Sequence, residues 1–496
     1  MQRNIERLHT ALLAGFIIVA LTLGYWQFFR QEEVLARSTN PRLAEEAQRV
    51  VRGKILDRNG VVLAESRVTP EGVSRVYTRP GFAAVTGYHS LRYGNANVEA
   101  RYNDYLRGAQ SADPIRAFLD QLLHRPTVGT DVVLTIDARV QQAAVEALGG
   151  ARGAIVALDP KTGVILALAS SPTYDPNRLE AVWEELVADE AGRPLFNRAI
   201  QSAYTPGSTF KLVTAAAAVD LGLVDPNAEF RCTRPIVVDG LSMDCRNHAH
   251  VPVLDFREAF AWSSNRTFGL VGLELGLGRL QLGDDLEPPY PWEGPGIAGS
   301  AGRLEEYAER FQFGREIPFD LPVAVGQLKN RGDWYPSLLA QTAFGQGELE
   351  ATPLQMALVA ATVANGGVMP APSLALEARA PSGAVTDLSA GGSLGRVIKP
   401  ETAALLNEMM VLSVEIAYAQ KAKIPGVKVG GKTGTAETGP AGATPHSWFI
   451  GYAPADDPRV AVAAIFEHRG SGSDFAAPAA QQVMRAALEA YRPEGR

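Results

Sequence analysis

AIVALDPKTGVILALA, residues 154 to 169, consists of two apolar runs, Ala154 to Leu158 and Val164 to Ala169, joined by Asp159-Pro160-Lys161-Thr162-Gly163. Short apolar runs around a turn of that composition read as a β-hairpin. A second hairpin lies near the other end of the chain, Trp448 to Tyr452 and Val460 to Phe466 around Pro454-Ala455-Asp456-Asp457-Pro458. Between the two the chain is mostly helical and Ala-rich, for instance over Leu212 to Val219 and Pro353 to Ala364, and it closes on a helix from Ala476 to Tyr491. Strands at both ends with helices between them predict an antiparallel sheet closed by distant segments, an α+β fold.

Upstream of the first hairpin, DVVLTI at 131 to 136 reads as a strand leading to Asp137, the N-cap of a helix over ARVQQAAVEAL. Further back, RGKILDRNGVVLA at 52 to 64 has Asn59-Gly60 between two apolar runs, which predicts a hairpin with a type I′ turn. Residues 65 to about 130 are polar with scattered Tyr and Gly and read as a small non-catalytic module or stalk.

The chain has 496 residues, which at ~150 per domain predicts two to four units. Its formal charge is −7, with no basic stripe, which argues against binding nucleic acid through phosphates. With two cysteines it has neither a disulfide scaffold nor a Cys-rich metal cluster. Of its 47 basic residues nine are Lys and the rest Arg. Residues 11 to 29, ALLAGFIIVALTLGYWQFF, carry no charge and end in Tyr25, Trp26, Phe28 and Phe29. As a helix they would reach ~28 Å, about the hydrocarbon thickness of a bilayer, with the aromatic rings at one interface. A cleaved signal peptide would have a shorter apolar core and small residues at a cut site, but here Arg30, Gln31, Glu32 and Glu33 follow. The expected organisation is a cytoplasmic tail (1–10), a transmembrane helix (11–29), an N-terminal module (30–150) and a catalytic domain (151–496).

Three motifs carry the chemistry. PGSTFKLVTAAAA at 206 to 218 opens a helix, and residues three apart share a face, so Ser208 and Lys211 are neighbours. A serine at a helix N-terminus meets free N–H groups and the positive dipole end, which suits a developing oxyanion. A lysine serves as base only when neutral, and burial or a second cation moves it that way. AWSSNRTF at 261 to 268 puts Ser263 and Asn265 in a polar break of an apolar helical stretch, a hydroxyl able to relay a proton beside an amide able to hold a peptide group. KVGGKTGTAE at 428 to 437 contains Lys432-Thr433-Gly434-Thr435. Gly426, Gly431, Lys432 and Thr433 also satisfy the P-loop pattern, but Gly434, Gly439 and Pro440 oppose the helix that motif needs. An edge strand fits better, with Gly434 admitting a close chain and Lys432, Thr433 and Thr435 facing a carboxylate.

Together, S-x-x-K, then S-x-N 55 residues on, then K-T-G another 169 on, form the signature of penicillin-binding proteins and active-serine β-lactamases. The sequence resembles the class B penicillin-binding proteins, the monofunctional D,D-transpeptidases of bacterial wall synthesis, over nearly its whole length. RGKILDRNG at 52 to 60, GQGEL at 345 to 349, TPLQMA at 352 to 357 and WFIGYAP at 448 to 454 follow the family pattern. GYHSLRYG at 87 to 94, in a compact N-terminal part, looks most like the actinobacterial-type elongation or sporulation subgroup.

The resemblance implies an antiparallel sheet with helices on both sides, an all-helical subdomain and a small α/β pedestal or dimerisation-like module. It implies Ser208 as nucleophile on a D-Ala-D-Ala carbonyl, Lys211 as its base, Ser263 as relay to the departing amine and Lys432 as the cation tuning Ser263. Asn265 would hold the stem peptide, and Thr433, Gly434 and Thr435 would form the edge that binds its terminal carboxylate. The partners it implies are peptidoglycan stem peptides, β-lactams and a membrane glycosyltransferase of the shape, elongation, division and sporulation group. The domain would lie on the extracytoplasmic face of a single-pass protein. No cofactor or metal is required. Cys232, Cys245, His248 and His250 could form a zinc set, but the cysteines lack the usual close spacing, and a disulfide stapling the hairpin around Asp239-Gly240 is preferred in an oxidising exterior.

The rival functions are a β-lactamase and a membrane-anchored β-lactam sensor. Glu401 to Asn407 has the wrong spacing for the E-x-x-L-N deacylation segment, and ten residues before the anchor cannot supply a sensor's output domain. Gly391 to Gly395 matches G-x-S-x-G but lies in a Gly/Ser/Pro-rich region read as a surface loop.

Overall fold

The computed structural model describes residues 2–28, 50–70, 72–109, 127–232, 235–245, 248, 250–277, 302–329, 333–439 and 442–491. Helix α1, Gln2–Phe28, exposes Leu12, Leu13, Phe16, Ile17, Ile18 and Val19, and none of its described side chains joins the core. Among the described residues no helix is long and apolar enough to cross a membrane. Phe29, the last residue of the expected span, lies outside the described residues.

The N-terminal module is built on β1 (Ile55–Leu56), β2 (Val62–Thr69) and β3 (Gly72–Tyr77), paired antiparallel in turn, with β4 (Asp131–Leu134) parallel to β1. The hairpin expected at Asn59-Gly60 is present, but not its type I′ turn. That turn needs positive φ at both central residues; here Gly60 alone has it, at 83°, and the strands pair at Leu56 and Val62 across a longer loop. The loop is organised by Asp57, whose buried carboxylate accepts from the N–H groups of Asn59 (2.7 Å), Val61 (2.8 Å) and Ala138 (3.0 Å). The same carboxylate thereby ties the hairpin to the start of α2 (Ala138–Leu148), which Asp137 caps as expected, accepting from Arg139 N at 3.0 Å.

Below the sheet, Glu99 is fully buried between Arg52 (2.7 Å) and Arg75 (2.6 Å). Burial pushes its carboxyl up, but Arg75 and Arg52 outweigh burial, so it sits below the usual carboxylate range. Glu99→Gln is expected to destabilise by about 3–5 kcal/mol, because it leaves two buried guanidinium groups without their anion. A thermal melt checks this, and an unchanged melting temperature would contradict it. Since the folded-state value is the lower one, the contribution is present above the unfolded carboxylate range and drains away as pH falls.

The catalytic part begins with β5 (Gly153–Leu158) and β6 (Ile165–Ser171). A run of helices follows: α3 (Lys211–Asp220), α4 (Phe256–Ala261), α5 (Asn265–Leu277), α6 (Pro336–Ala343) and α7 (Pro353–Ala364). Two short strands, β7 (Ala375–Arg379) and β8 (Val385–Asp387), precede α8 (Pro400–Ile416). The chain finishes with β9 (Gly430–Ala436), β10 (His446–Ala453), β11 (Val460–Phe466) and α9 (Ala476–Ala490). The five long strands form one antiparallel sheet in the order β9-β10-β11-β5-β6, so that the two hairpins from opposite ends of the sequence meet where Ile465 pairs with Ala154.

Every residue of β5, β6, β10 and β11 is buried, which is why these strands read as continuous apolar runs. Alternate side chains point to opposite faces. Ile155 and Ala157 join the cluster with Val140 of α2 and Val483 of α9, while Ala154, Val156 and Leu158 join the cluster with Leu358 of α7. Helices α3, α5 and α6 pack on one another as a helical layer, and α8 lies along β9.

Three elements cross the expected boundary at residue 150. Helix α2 packs on β6 and α9, and β7 and β8 complete the N-terminal sheet in the order β8-β7-β4-β1-β2-β3, with Ala378 opposite Val132. The N-terminal module and the catalytic part therefore share a sheet. Gly391 and Gly392 lie in an exposed loop as read, but exposed Ser393 begins a short strand paired with Val368–Pro370, without the strand-to-helix elbow a triad serine needs.

Candidate active site

Ser208 lies in a single 3₁₀ turn, Gly207–Phe210, that leads directly into α3. The turn is held tightly on three sides. Gly207 has φ of 56°, and Thr209 Oγ1 donates to Pro206 O at 2.7 Å. A Cβ on Gly434 of β9 would come within 2.8 Å of Pro206 O, so the chain that Gly434 admits is the serine turn itself. Gly345, with φ of 89°, lies so close that a Cβ there would stand 1.7 Å from Gly207 O. Gly345→Ala is therefore expected to displace the serine turn and lose most covalent labelling by penicillin; labelling at the wild-type rate would show that the turn tolerates the shift.

Lys211, the first residue of α3, is fully buried. Its Nζ donates to Ser263 O (2.7 Å) and Asn265 Oδ1 (2.7 Å), with Ser263 Oγ at 3.0 Å and Ser208 Oγ at 3.2 Å. The polar break between α4 and α5 presents these groups: Ser263 takes a left-handed backbone, φ 58°, and Asn265 starts α5. Lys432 is also fully buried, on edge strand β9, and donates to Thr433 O at 3.0 Å. The rings of Phe268 and Phe260 lie 5.6 and 5.7 Å from the Nζ atoms of Lys211 and Lys432. Thr433 is buried and Thr435 exposed on the same strand.

Burial, and after it the charge of Lys432, holds the Lys211 amine well below its usual range. Burial brings Lys432 down to about 7. The hydrogen bonds around Lys211 agree with a neutral amine. A neutral amine has two N–H donors and one lone pair; Ser263 O and Asn265 Oδ1, which can only accept, take the donors and leave the lone pair for a serine hydroxyl. Ser208 thus has a base within reach.

The sequence-derived site residues Ser208, Lys211, Ser263, Asn265, Lys432, Thr433, Gly434 and Thr435 lie together where α3, the α4–α5 break and β9 meet. The two cysteines are joined in a disulfide, Cα to Cα 6.0 Å, and His248 is committed to Val251 O and Ser264 Oγ, so these residues do not converge on a metal. Sequence reasoning gave no role to Gln346, whose Nε2 donates to Thr435 O at 3.3 Å, nor to Trp448, whose Nε1 donates to Thr205 O at 3.0 Å behind the serine turn. Gln346 lies in a segment singled out only for its resemblance to family sequences, and Trp448 in one read otherwise only as a strand.

Residues 153–488 match the penicillin binding protein transpeptidase domain, and residues 52–132 match the penicillin binding protein A dimerisation domain. The chain is a class B penicillin-binding protein. Relatives of this penicillin-binding protein include the peptidoglycan D,D-transpeptidase PbpA of Mycobacterium tuberculosis, 33% identical over 99% of each chain. PbpA of Mycolicibacterium smegmatis is 32% identical, covering 98% of this chain and 99% of that one. Among solved structures, penicillin-binding protein A from M. tuberculosis as a ceftriaxone acyl-enzyme complex superposes with a TM-score of 0.78 at 34% identity, covering 90% of this chain and 99% of that one. The α+β expectation and the transpeptidase fold both hold for this penicillin-binding protein.

Proposed function

We propose that this protein is a serine D,D-transpeptidase that cross-links peptidoglycan stem peptides through an acyl-enzyme at Ser208. The observation that carries this is Lys211 Nζ, buried and depressed toward its neutral form, within reach of both Ser208 Oγ and Ser263 Oγ. Ser208 Oγ would attack the penultimate D-Ala carbonyl and pass its proton to Lys211. The backbone N–H groups of Ser208 and Thr435 would hold the oxyanion, each contributing ~3 kcal/mol if typical. Collapse breaks the peptide C–N bond; Ser263 delivers its proton to the departing D-Ala nitrogen and takes in its place the one Lys211 received, so Lys211 is neutral again and an ester to Ser208 remains. An amine from a neighbouring stem then attacks the ester, frees Ser208 and forms the cross-link. Asn265 would grip the donor backbone, and Lys432, Thr433 and Thr435 its carboxylate. β-Lactams would be trapped at Ser208 because they imitate D-Ala-D-Ala.

Supporting an anchor at residues 11 to 29 are the exposed apolar side chains of α1, which a bilayer would cover. We place residues 30–150 as a pedestal and 151–496 as the catalytic domain, outside the cytoplasmic membrane, with a membrane glycosyltransferase as partner. The purified chain, given a donor peptide ending in D-Ala-D-Ala and an acceptor amine, is expected to release D-Ala and yield cross-linked peptide. Turnover of many equivalents of nitrocefin without cross-linking would instead make it a β-lactamase.

A further inference from the structure

His248 is polar by residue type, yet it is buried to 1% exposure. Its Nδ1 faces Val251 O at 3.2 Å, an oxygen that can only accept, so Nδ1 carries the hydrogen and Nε2 the lone pair. Nε2 lies 3.1 Å from Ser264 Oγ, which in turn lies 3.0 Å from Thr267 Oγ1 and accepts from Thr267 N at 3.3 Å. Ser264 therefore caps the start of α5, and its hydroxyl hydrogen is left for His248. The residues on either side of Ser264 are Ser263 and Asn265, the two that grip Lys211 Nζ.

The histidine is itself pinned. Its N–H donates to Cys245 O at 3.0 Å, and its carbonyl accepts from Val251 N at 2.8 Å. Cys245 is bonded to Cys232, whose N–H donates to Pro252 O at 2.8 Å, closing a covalent and hydrogen-bonded ring around the loop. The rings of His250 and Trp262 meet edge to face, centroids 4.5 Å apart, at the same helix break. We infer that His248 is a positioning residue for acylation: held by the Cys232–Cys245 disulfide, it fixes Ser264 and thereby the left-handed Ser263 and the Asn265 amide against Lys211.

This rests on Ser208 being the acylated residue. The test follows acylation of the full chain in detergent by a fluorescent penicillin, resolved into an encounter constant and an acylation rate. His248→Ala is expected to slow the acylation rate by roughly tenfold or more, since displaced catalytic groups act on the chemical step. The encounter constant should change much less than the rate, because the carboxylate contacts of Lys432, Thr433 and Thr435 are untouched. His248→Gln, whose amide reaches Ser264, should recover most of the loss. Removing both cysteines by Cys232→Ala with Cys245→Ala should also slow acylation, and joining His248→Ala to it should add little, because the two act through one chain of contacts. Ser264→Ala, which leaves the loop untouched, carries the same expectation should His248→Ala fail to fold. Wild-type acylation in His248→Ala or in Ser264→Ala, no recovery in His248→Gln, or fully additive losses would overturn the assignment. A wild-type chain that takes no label overturns the Ser208 mechanism instead, and this inference with it.

Discussion

Ser208→Ala should take up no covalent penicillin, its acylation rate falling by a factor on the order of 10⁴ or more, as when an activated serine is lost. The reason lies in the turn. Gly207, Gly345 and Gly434 press the backbone of residues 206–209 against β9, so the alanine variant keeps the turn and loses only the oxygen that faces Lys211 at 3.2 Å. Its melting temperature should stay close to wild type, because Ser208 is only half-buried. Gel fluorescence after incubation with labelled penicillin reads the outcome, and a persisting adduct would move the nucleophile elsewhere.

Lys211→Arg should be nearly as damaging, with acylation down by about 10²–10⁴, the range general-base catalysis supplies. A guanidinium does not give up its proton, so it cannot receive one from Ser208. It would also place a second fixed charge where burial and Lys432 already oppose one. Burial and the charge of Lys432 hold Lys211 low, so in the wild type the base is neutral over a wider pH range than a free amine, and acylation falls on the acid side where that amine becomes protonated. On the alkaline side, Lys432 loses its charge above about 7, and with it the attraction for the donor carboxylate. The acylation profile of the free enzyme should therefore be bell-shaped, with Lys211→Arg low throughout and without the acid limb, its alkaline limb still set by Lys432. An arginine variant that labels at a tenth of the wild-type rate or better would remove Lys211 from the base role.

Local pattern carried much of the fold. The buried hairpins 154–169 and 448–466 announce themselves because strands covered on both faces have no polar side to interrupt the apolar run, and Asp137 marks the start of its helix by its capping oxygen. The scarcity of lysine also pointed to the site. Two of the nine lysines are buried there, and a lysine, unlike the arginines that make up the rest of the basic residues, can be neutral where Lys211 sits.

What the sequence hid was long-range. Strands β7 and β8 are short and partly polar, and nothing near residue 378 signals that Ala378 will pair with Val132. The Asp57 carboxylate displaced the expected type I′ turn because it could satisfy three N–H groups, one of them from Ala138 far along the chain. A left-handed serine at 263 runs against residue preference and becomes visible only once Lys211, which takes its carbonyl, is in place. In the sequence His248 stands only as one of four residues weighed as a zinc set and set aside; that its two nitrogens meet Val251 and Ser264 is visible only in the fold.

The most direct measurement is mass-spectrometric mapping of the adduct formed when the purified chain meets a stem-peptide donor ending in D-Ala-D-Ala. The mechanism predicts one equivalent of released D-Ala per acylated chain, with the donor ester carried on the peptide that contains Ser208 and discharged by an acceptor amine. An adduct on any other residue, or release of D-Ala with no acyl-enzyme and no cross-linked product, would contradict it.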